Sequence, residues 1–427
     1  MSENSDRVLN LPLGADMPAT WQLTTLGEVA TLQRGNDLPV SQRKAGNVPV
    51  IGSNGTVGFH SEASARGPGV LVGRSGSVGA VSWAETDYWP LNTALWVKDF
   101  HGNEPQFVYY LLSSLNLSFA ATGVSVPTLN RNLVHPLRVA VPPLPEQRAI
   151  AHVLRTVQQA KEATGKVIAA AKALKRSVMR QVFSYGPVAV SDAESTPRRV
   201  TQLGVIPETW RVAQIAELVS EKIIADLQDG NHGEKHPKQT DYCPSGVPFL
   251  TANCVRGGRV IFSAANALPE EWIAKLSKGI AQPGDVLLTH KGTIGETAVL
   301  GADFDRVILT PQVTYYRVED ESRLERQFLH CALQSEAFQE KLSMVASAQS
   351  TRAYVGILQQ ARLFLPMPPI EQQRQIADQI SAVDRKVQSE KSKLNTIELL
   401  FNSLLQHLMT GKVRVHDRHL ADATGSA

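Results

Sequence analysis

The stretch "GRSGSVG", from Gly73 to Gly79, holds the residue types that first point to chemistry in this sequence. Its three glycines would let backbone N–H groups approach an anion closely, as in phosphate-binding loops. A phosphate-binding loop of this kind is followed directly by a helix. In the following "VGAVSWAE", however, apolar residues alternate with small or polar ones, and the stretch is rich in valine and tryptophan. Because alternation is typical of a strand, we predict a hairpin turn and disfavour an enzyme with its own glycine-loop nucleotide site.

The same glycine pattern occurs elsewhere in the chain, which indicates an internal repeat. "GSNGTVG" (52–58) has the same spacing, and "GDVLLTHKGTIGETAV" (284–299) matches the first stretch. The matched sets are Trp21 with Trp210, Gly76 and Gly79 with Gly292 and Gly295, and Arg138 with Arg362, at offsets of 189, 216 and 224. The chain is therefore predicted to be two related halves. The second has about 27 more residues between its tryptophan and its glycine turn, including the loop-like "DGNHGEKHPKQTDYCPSG".

Each half ends in a proline cluster followed by a long amphipathic helix. The first is predicted to start at Pro145, where a missing N–H costs nothing, and the second to run from about Glu371 to Met409. The predicted apolar stripe of the first is Ile150, Val153, Val157, Ala160, Val167, Ala171, Leu174 and Val178. That of the second is Ile376, Ile380, Val383, Val387, Leu394, Ile397, Phe401, Leu404 and Leu408, interrupted by Glu390. Rods of about 60 Å with one apolar stripe need a partner, so we expect the two helices to pair.

These features predict a mixed α/β (α+β) protein with a pseudo-twofold repeat, in which two related globular domains are separated by two long helices packed as an antiparallel coiled coil. The predicted boundaries are 1–144 for the first globular domain, 145–185 for the central spacer helix, 186–204 for a linker, 205–369 for the second globular domain, 370–411 for the distal spacer helix and 412–427 for a C-terminal tail. Such a pair of helices would hold the two globular domains at a set distance.

The composition favours a multidomain protein of the cytoplasm. A length of 427 residues predicts two or three domains, and a hydrophobic fraction of 43% is sufficient for their cores. No apolar run reaches the roughly 18 residues of a membrane span, and the first residues lack the apolar stretch of a signal peptide. Cys243, Cys254 and Cys331 do not form a disulfide framework, which agrees with a reducing compartment.

Positive charge is concentrated in the first long helix, although the whole chain carries only +3. Residues 146–184 contain eight Lys or Arg and two Glu, a net charge of +6. A solvated helix face explains this pattern as well as a contact to phosphate or to an acidic partner does. Any nucleic-acid surface must therefore be local, since the chain is not uniformly basic.

The repeated motifs resemble those of DNA-specificity subunits of type I restriction-modification systems. Each half opens with "PATW" or "PETW" and carries "VLVGRSGSVG" or "VLLTHKGTIG". Each then reaches "PPLPEQR" or "PPIEQQR" before its helix, and the second helix leads into "LMTGKVRV". Each short motif is weak by itself, but their ordered duplication covers nearly the whole chain.

The resemblance implies a protein that reads DNA and performs no chemistry itself. Such subunits have two target recognition domains, each reading one half of a split DNA sequence, and paired helices that fix the gap. They bind two methylation subunits, which use S-adenosylmethionine to methylate adenine N6, and restriction subunits that hydrolyse ATP with Mg²⁺. The sequence agrees, since it has no Asn/Asp-Pro-Pro-Tyr/Phe motif and no GxxxxGK[ST] loop, and we expect no cofactor on this chain. The rival hypothesis is a coiled-coil scaffold that assembles a protein complex without reading DNA.

Polar residues near the glycine turns are the predicted DNA contacts. In the first half they are Asn54, Arg74, Ser75, Ser77, Thr128, Asn130 and Arg131, and in the second half they are Thr289, His290, Lys291, Thr293, Ser350, Thr351 and Arg352. Arginine can grip guanine and asparagine can pair with adenine, each worth about 1–3 kcal/mol of discrimination. Asn54, Ser75 and Ser77 serve equally well as turn residues that satisfy the backbone. Arg74 and Arg131 fit phosphate as well as base.

A metal site is not predicted. The longer second half contains His232, His236, Cys243 and Cys254. Their spacing, H-x3-H-x6-C-x10-C, fits no compact pattern of zinc ligands.

Overall fold

The computed structural model describes residues 17–123, 127–232, 236–347 and 353–415. The chain divides into two compact units, Met1–Lys166 with Lys391–Ala427 (unit 1) and Val167–Glu390 (unit 2). This division cuts both long helices near their middle, whereas the sequence predicted boundaries at the helix ends. The reason is that side chains from each long helix contribute to the core of each unit.

The described part of unit 1 is built from short strands, short helices and parts of the two long helices. Its strands are β1 (Gln22–Thr25), β2 (Thr31–Arg34), β3 (Val48–Gly52), β4 (Gly55–His60), β5 (Gly69–Gly73), β6 (Val81–Ala84), β7 (Trp89–Pro90), β8 (Ala94–Asp99), β9 (Ala121–Thr122), β10 (Thr128–Leu129) and β11 (Arg138–Val141). Its α-helices are α1 (Leu26–Val29), α2 (Pro105–Ser114), α3 (Arg131–Val134), the first part of α4 (Leu144–Tyr185) and the last part of α10 (Ile370–Met409).

The larger sheet of unit 1 has the strand order β2-β8-β5-β6, and a smaller sheet has the order β4-β3-β7. Strand β1 pairs with β11, which places the start of the globular region beside the strand that leads into α4. Strand β5 is fully buried and is followed by the glycine turn and then by β6, its antiparallel neighbour. The hairpin predicted at this turn is therefore confirmed.

Unit 2 repeats this plan with more elements. Its strands are β12 (Arg198–Thr201), β13 (Gly204–Pro207), β14 (Arg211–Gln214), β15 (Ile224–Asp229), β16 (Val247–Leu250), β17 (Val255–Arg256), β18 (Arg259–Val260), β19 (Asn266–Leu268), β20 (Ile280–Ala281), β21 (Val286–Lys291), β22 (Thr293–Val299), β23 (Val307–Leu309), β24 (Val313–Val318) and β25 (Phe364–Met367). Its α-helices are the last part of α4, α5 (Ile215–Ser220), α6 (Glu271–Lys275), α7 (Arg326–Gln334), α8 (Glu336–Ser347), α9 (Ile357–Ala361) and the first part of α10 (Ile370–Met409).

The sheets of unit 2 repeat the strand order of those of unit 1, with one additional strand, β20, in the second sheet. The larger sheet has the order β15-β24-β21-β22, the second has the order β19-β16-β23-β20, and β14 pairs with β25 as β1 does with β11. Most of the additional residues lie between β16 and β21, where β17, β18, α6 and β20 are new, whereas β19 pairs with β16 as β4 does with β3. The predicted loop at 229–246 holds a smaller share of the insertion. The added residues therefore mainly enlarge the second sheet and its surroundings.

Strand pairing corrects one of the sequence matches. Thr25 pairs with Arg138 in unit 1, and Gln214 pairs with Phe364 in unit 2. Thr25 and Gln214 are related by the same offset of 189 as the two tryptophans. The residue equivalent to Arg138 is therefore Phe364 and not Arg362. The chance identity of two arginines had shifted the match by two residues.

A glutamine after each proline cluster makes the same bonds in both units. In unit 1, Gln147 Nε2 donates to a carbonyl of the proline cluster (3.0 Å), and its Oε1 accepts from the N–H of Glu104 (3.0 Å). In unit 2, Gln373 makes the equivalent bonds, with the N–H of Glu325 at 2.9 Å. Glu104 and Glu325 are the N-cap residues of α2 and α7. Each glutamine therefore joins the start of a long helix to the start of a shorter one.

The apolar stripe predicted for α10 is its inward face, since its residues from Ile376 to Leu408 are buried or half-buried. The stripe predicted for α4 is wrong at Ala160, Val167 and Leu174, because Ala160 is exposed and the other two are 42% and 54% exposed. The inward positions of α4 keep heptad spacing but include polar residues. They are Leu154, Val157, Lys161, Thr164, Ile168, Ala171, Lys175, Val178 and Val182.

The inward lysines of α4 are paired with acidic residues of α10. Lys161 Nζ lies 3.0 Å from a carboxylate oxygen of Glu398 in unit 1. Lys175 Nζ lies 2.8 Å from a carboxylate oxygen of Asp384 in unit 2. The two lysines are two heptads apart, and so are the two acidic residues. A lysine can occupy an inward position because its aliphatic stem packs while its ammonium group reaches a partner.

None of the helices in the described ranges is long and apolar enough to cross a membrane. Cys243, Cys254 and Cys331 are free thiols.

Candidate nucleic-acid interface

The glycine turn of unit 1 brings two loops together. Gly76 has a φ of 83°, which favours glycine. A Cβ added at Gly73 would overlap the carbonyl oxygen of Ser77 and would lie 2.6 Å from that of Ser53. Only glycine permits this approach, so the exposed turn that carries Asn54 lies against the turn between β5 and β6.

A cavity of about 640 Å³ beside this turn gathers most of the predicted contacts of the first half. Arg74, Thr128, Asn130 and Arg131 line it, and they are joined by residues that the sequence did not point to, namely Gln33, Arg34, Thr122 and Asn132. Two leucines complete the lining, and none of the described lining residues is acidic. Three guanidinium groups therefore face a concave polar surface, which favours an anionic ligand.

Backbone pairing holds the glycine turn against β10. The N–H of Leu129 donates to the carbonyl of Arg74 (2.7 Å), and Ser75 forms an isolated β-bridge with Thr128. Ser75 and Ser77 are half-buried. The turn and the strand that carry the predicted contacts are therefore one connected surface, although more than 50 residues separate them in the chain.

Helix α3 positions Asn130 and Arg131. Asn130 is its N-cap, and its Oδ1 accepts from the N–H of Asn132 (3.0 Å), so part of its hydrogen-bonding capacity is used within the protein. Arg131 Nη1 donates to the carbonyl of Leu32 at 3.4 Å, and its other N–H groups can bind a ligand. Burial and the neighbouring Arg131 lower the pKa of His135, whose neutral Nε2 accepts from the N–H of Leu32 (3.0 Å).

Arg34 is the main residue that sequence reasoning missed. It is exposed at the end of β2, and the pairing of β2 with β8 brings it to the cavity. A signal was present, because "LQRGN" (32–36) in the first half matches "LQDGN" (227–231) in the second. This match would have placed Arg34 and Asp229 at equivalent positions of the two larger sheets.

Two predicted contacts in unit 2 are buried, which corrects the prediction that they touch DNA directly. Thr289 and His290 have no exposed surface. Thr289 Oγ1 accepts from the N–H of Glu296 (3.0 Å), and the His290 ring lies 6.0 Å from that of Tyr354, centroid to centroid. Burial lowers the pKa of His290 to about 4. Strand β21 continues to Lys291, whereas β5 ends at Gly73, so His290 lies within a strand while the equivalent Arg74 lies in the turn.

The other predicted contacts of the second half differ in placement. Lys291 is half-buried and Thr293 is exposed. Ser350, Thr351 and Arg352 lie outside the described residues.

Lys291 lines a cavity of about 370 Å³ that is also lined by two aromatic and two imidazole side chains. His232, His236, Tyr242 and Phe249 contribute to it. The rings of His236 and Tyr242 lie 5.6 and 6.1 Å from that of Phe249. Unit 2 therefore presents a surface chemically different from the arginine-lined cavity of unit 1.

The candidate zinc ligands have other contacts. His232 Nε2 lies 3.1 Å from Asp229 Oδ2, and Cys254 Sγ lies 3.4 Å from the carbonyl of Ala264. Throughout residues 17–123, 127–232, 236–347 and 353–415, no group of three or more His, Cys, Asp or Glu side chains is placed to hold a metal ion.

Comparison with known proteins links both halves to one family. Residues 18–172 and 207–399 match the family model described as "Type I restriction modification DNA specificity domain". The chain is 26% identical to the type I restriction enzyme MjaVIII specificity subunit of Methanocaldococcus jannaschii, over 72% of this chain and 70% of the relative. It is 22% identical to the EcoBI specificity subunit of Escherichia coli, over 71% of this chain and 63% of the relative.

Solved structures share the fold. The S subunit of the type I restriction-modification system from M. genitalium matches with a TM-score of 0.62 and 15% identity, over 93% of this chain and 97% of that chain. A chain from a study of complex assembly and conformational transition in a type I R-M system matches with a TM-score of 0.51 and 17% identity, over 94% and 100%. The relatives do not favour a scaffold without DNA readout, and specificity subunits are non-catalytic. Since the two matched ranges together cover most of its residues, this chain belongs to the DNA specificity family of type I restriction-modification systems.

Proposed function

We propose that this chain reads a split DNA sequence, with each unit contacting one half-site. The observation that carries the proposal is the cavity of unit 1, where Arg34, Arg74 and Arg131 meet without an acidic side chain in the described lining. Guanidinium groups bind phosphates and the O6/N7 edge of guanine through paired hydrogen bonds. A concave surface with three of them suits the backbone and base edges of duplex DNA.

Unit 2 would read an unrelated half-site. Lys291 and Thr293 occupy its glycine turn, but the neighbouring cavity is lined by His232, His236 and Tyr242 in place of arginines. Two recognition surfaces of different chemistry on one repeated frame fit a target whose two halves differ in sequence.

We propose that α4 and α10 pair as an antiparallel coiled coil and set the gap between the half-sites. The support is in the ion pairs, because Lys161 pairs with Glu398 and the later Lys175 pairs with the earlier Asp384. A register shift of one heptad would move the helices by about 10 Å, which is the rise of about three base pairs of DNA. The pairing of these helices would therefore fix the number of unread base pairs.

The proposed partners are two methylation subunits docked on the helices, together with restriction subunits, acting on cytoplasmic DNA. S-adenosylmethionine, ATP and Mg²⁺ would be used by those partners. Lys166, Lys172 and Arg176 are exposed on α4 and have no ion pair among the described residues, so they are available to a partner. We assign them to protein partners in preference to phosphates of the gap. Neutralising Lys172 and Arg176 should then leave the salt dependence of DNA binding unchanged, whereas each lost phosphate contact would lower the slope by about 0.9.

The test is to co-express the chain with its methylation subunit and to map N6-methyladenine across the host genome. We expect modified adenines in a motif of two specified parts separated by a fixed gap. Lys291→Ala should relax only the second part of the motif. A contiguous motif, or equal relaxation of both parts, would contradict the assignment of one half-site to each unit.

A further inference from the structure

The cavity beside Lys291 in unit 2 contains a hydroxyl group without a partner. Thr310 lines this cavity and is only 5% exposed. Its Oγ1 forms no hydrogen bond with any described residue. A buried hydroxyl group without a partner destabilises a folded protein, so this one indicates that the cavity receives a polar ligand.

Two further lining side chains have hydrogen-bond donors that the protein does not use. Gln312 Oε1 accepts from the N–H of Ala252 (3.0 Å), which fixes the orientation of the amide, and the Nε2 is left without an acceptor among the described residues. Lys291 Nζ likewise forms no ion pair or hydrogen bond within the described part of the chain. None of the described lining residues is acidic. The cavity therefore suits a ligand that presents acceptors.

Backbone hydrogen bonds identify the equivalent positions of unit 1. The N–H of Leu91 donates to β3 and that of Thr310 donates to β16, both at 2.9 Å. The carbonyls of Thr93 and Gln312 accept from the equivalent residues that follow the glycine-turn strand positions, at 2.8 and 2.9 Å. One residue further on, Ser75 and Lys291 form corresponding β-bridges. The equivalent pairs are thus Leu91 and Thr310, Thr93 and Gln312, and Ser75 and Lys291.

This comparison shows that the set of donors belongs to unit 2 alone. Unit 1 has an apolar side chain in place of the Thr310 hydroxyl group. It has short hydroxyl side chains in place of the long Gln312 and Lys291. The repeated backbone is retained, but the three side chains differ, as expected for residues that distinguish one half-site from the other.

The base that matches two donors is guanine. In the major groove guanine presents two acceptors, N7 and O6, whereas adenine presents one acceptor and one donor. Cytosine presents a donor, and thymine presents one acceptor beside a methyl group. A phosphate also offers only acceptors, but Gln312 is neutral and its amide is held in one orientation by Ala252. A fixed planar donor suits the edge of a base.

We propose that Gln312 and Lys291 read one guanine of the second half-site, and that the Thr310 hydroxyl group donates to the same edge. The inference rests on the proposed function, which assigns the second half-site to unit 2. It predicts a guanine at one position of the second part of the methylated motif. It also predicts that Gln312 and Lys291 determine the same position.

The experiment measures binding of the full-length chain, in complex with its methylation subunit, to duplexes that carry each base in turn at every position of the second part of the motif. The wild type should prefer guanine at one position by about tenfold or more. Gln312→Glu retains an oxygen that can accept from Ala252 but replaces the donor with an acceptor. It should remove the preference for guanine and favour cytosine, whose N4 amino group donates. Lys291→Ala should relax the same position.

Gln239→Glu is the matched control, because it makes the same change of charge at an exposed residue of unit 2 that does not line the cavity. Its base preferences should equal those of the wild type. Thr310→Val removes the hydroxyl group and keeps the shape of the side chain. It should weaken binding by about twofold to tenfold without lowering the midpoint of urea unfolding, because the hydroxyl group has no partner in the described protein. Unchanged binding or a lower midpoint would contradict a hydroxyl group retained for a ligand.

Three results would overturn the inference while the proposed function stands. Gln312→Glu could weaken binding to all duplexes equally and lower the salt slope, which would show that the cavity binds a phosphate. The Gln312 and Lys291 variants could relax different positions, or the position they relax could hold a base other than guanine. If the wild type methylates no motif of two specified parts, the proposed function itself fails and this inference fails with it.

Discussion

The pattern "LQRGN" at the end of β2 and the pattern "LQDGN" at the end of β15 place opposite charges at the same corner of the two larger sheets. The glycine is retained because a Cβ at Gly35 or at Gly230 would overlap a backbone carbonyl of the neighbouring segment. The preceding residue is not constrained in this way and is Arg34 in unit 1 and Asp229 in unit 2. Backbone contacts therefore require glycine at this position of both sheets. The residue before the glycine can differ, and it gives the two surfaces different charges.

The charge at this corner is handled differently in the two units. Arg34 is exposed and lies 3.7 Å from Asp37, a weak surface pair. Asp229 is buried, and Lys278 and His232 bond to it at 2.5 and 3.1 Å. Burial raises the pKa of Asp229, but the hydrogen bonds from these two partners outweigh it and leave the pKa lowered. Unit 1 offers its cation to a ligand, whereas unit 2 buries its anion and surrounds it with cationic groups.

The largest expected effect is a loss of stability in unit 2 at low pH. Burial lowers the pKa of His290 and of His330 to about 4, below the value of about 6.5 in an unfolded chain. The unfolded state therefore binds more protons, and stability that is present above pH 6.5 is lost as the pH falls towards 4. The loss approaches about 3 kcal/mol for each histidine.

Hydrogen exchange, corrected for intrinsic rates and compared at pH 7 and pH 4.5, measures this difference by unit. Protection should fall more in unit 2 than in unit 1, whose His135 also has a lowered pKa but is only half-buried. Replacing the exposed His152 with glutamine should not alter the difference. Equal losses of protection in the two units would contradict the prediction that buried histidines make unit 2 more sensitive to low pH than unit 1.

The next effect concerns DNA affinity. Arg74→Ala with Arg131→Ala should cost about 2–6 kcal/mol of binding to the first half-site, at about 1–3 kcal/mol for each arginine. Lys291→Ala is the control, because it alters the other unit. Binding measured on duplexes with either half-site scrambled separates the two contributions. If the double variant weakened binding only to duplexes with an intact second half-site, the roles given to the two cavities would be reversed.

Sequence pattern was sufficient to predict the repeat, the hairpin at the glycine turn and the stripe of α10. The repeat follows from motifs that recur in the same order along the chain, and the other two depend on residues close together in it. The stripe of α4 could not be predicted, because Lys161 and Lys175 point inward only when Glu398 and Asp384 of another helix are present. The cavity of unit 1 was predicted in part. Arg34 was missed because strand pairing, and not sequence proximity, brings it there.

The burial of Thr289 and His290 shows a further limit of sequence comparison. His290 is equivalent to Arg74, and the backbone makes the same bond in both, from Val355 to His290 (3.0 Å) and from Leu129 to Arg74 (2.7 Å). The difference lies in the length of β21 and in the ring of Tyr354, which packs beside His290. A match of motifs therefore transfers the backbone position but not the exposure of the side chain.

A smaller effect on folding stability is expected from the side chains that hydrogen-bond to the equivalent tryptophans, Trp21 and Trp210. In unit 1 the Nε1 of Trp21 donates to Glu146 (3.1 Å), and Arg414 Nη2 donates to the same carboxylate (2.8 Å). In unit 2 the Nε1 of Trp210 donates to the neutral Gln372 (2.8 Å). Arg414→Ala leaves a buried carboxylate without its cation and should cost about 2 kcal/mol of folding stability.

The double variant Glu146→Gln with Arg414→Ala reproduces the neutral arrangement of unit 2. It should recover at least half of the loss, because the introduced amide oxygen would still accept from Trp21 without a charge to neutralise. Urea unfolding of the two variants and the wild type gives the coupling energy. If the double variant were as unstable as the single one, a neutral glutamine could not replace the Glu146–Arg414 ion pair in unit 1.

The smallest expected effect decides what Arg34 contacts. Arg34→Ala should weaken binding by about 1 kcal/mol, and if its contact is a phosphate, the slope of log K against log salt should fall by about 0.9. A base contact would instead leave the slope unchanged and relax one position of the first half-site. Asp229→Asn in unit 2 is the matched change, and it should leave the slope unaltered, because Asp229 is buried and faces Lys278 rather than solvent. If both variants changed the slope alike, the two corners would bind DNA in the same way, and their opposite charges would carry no difference in readout.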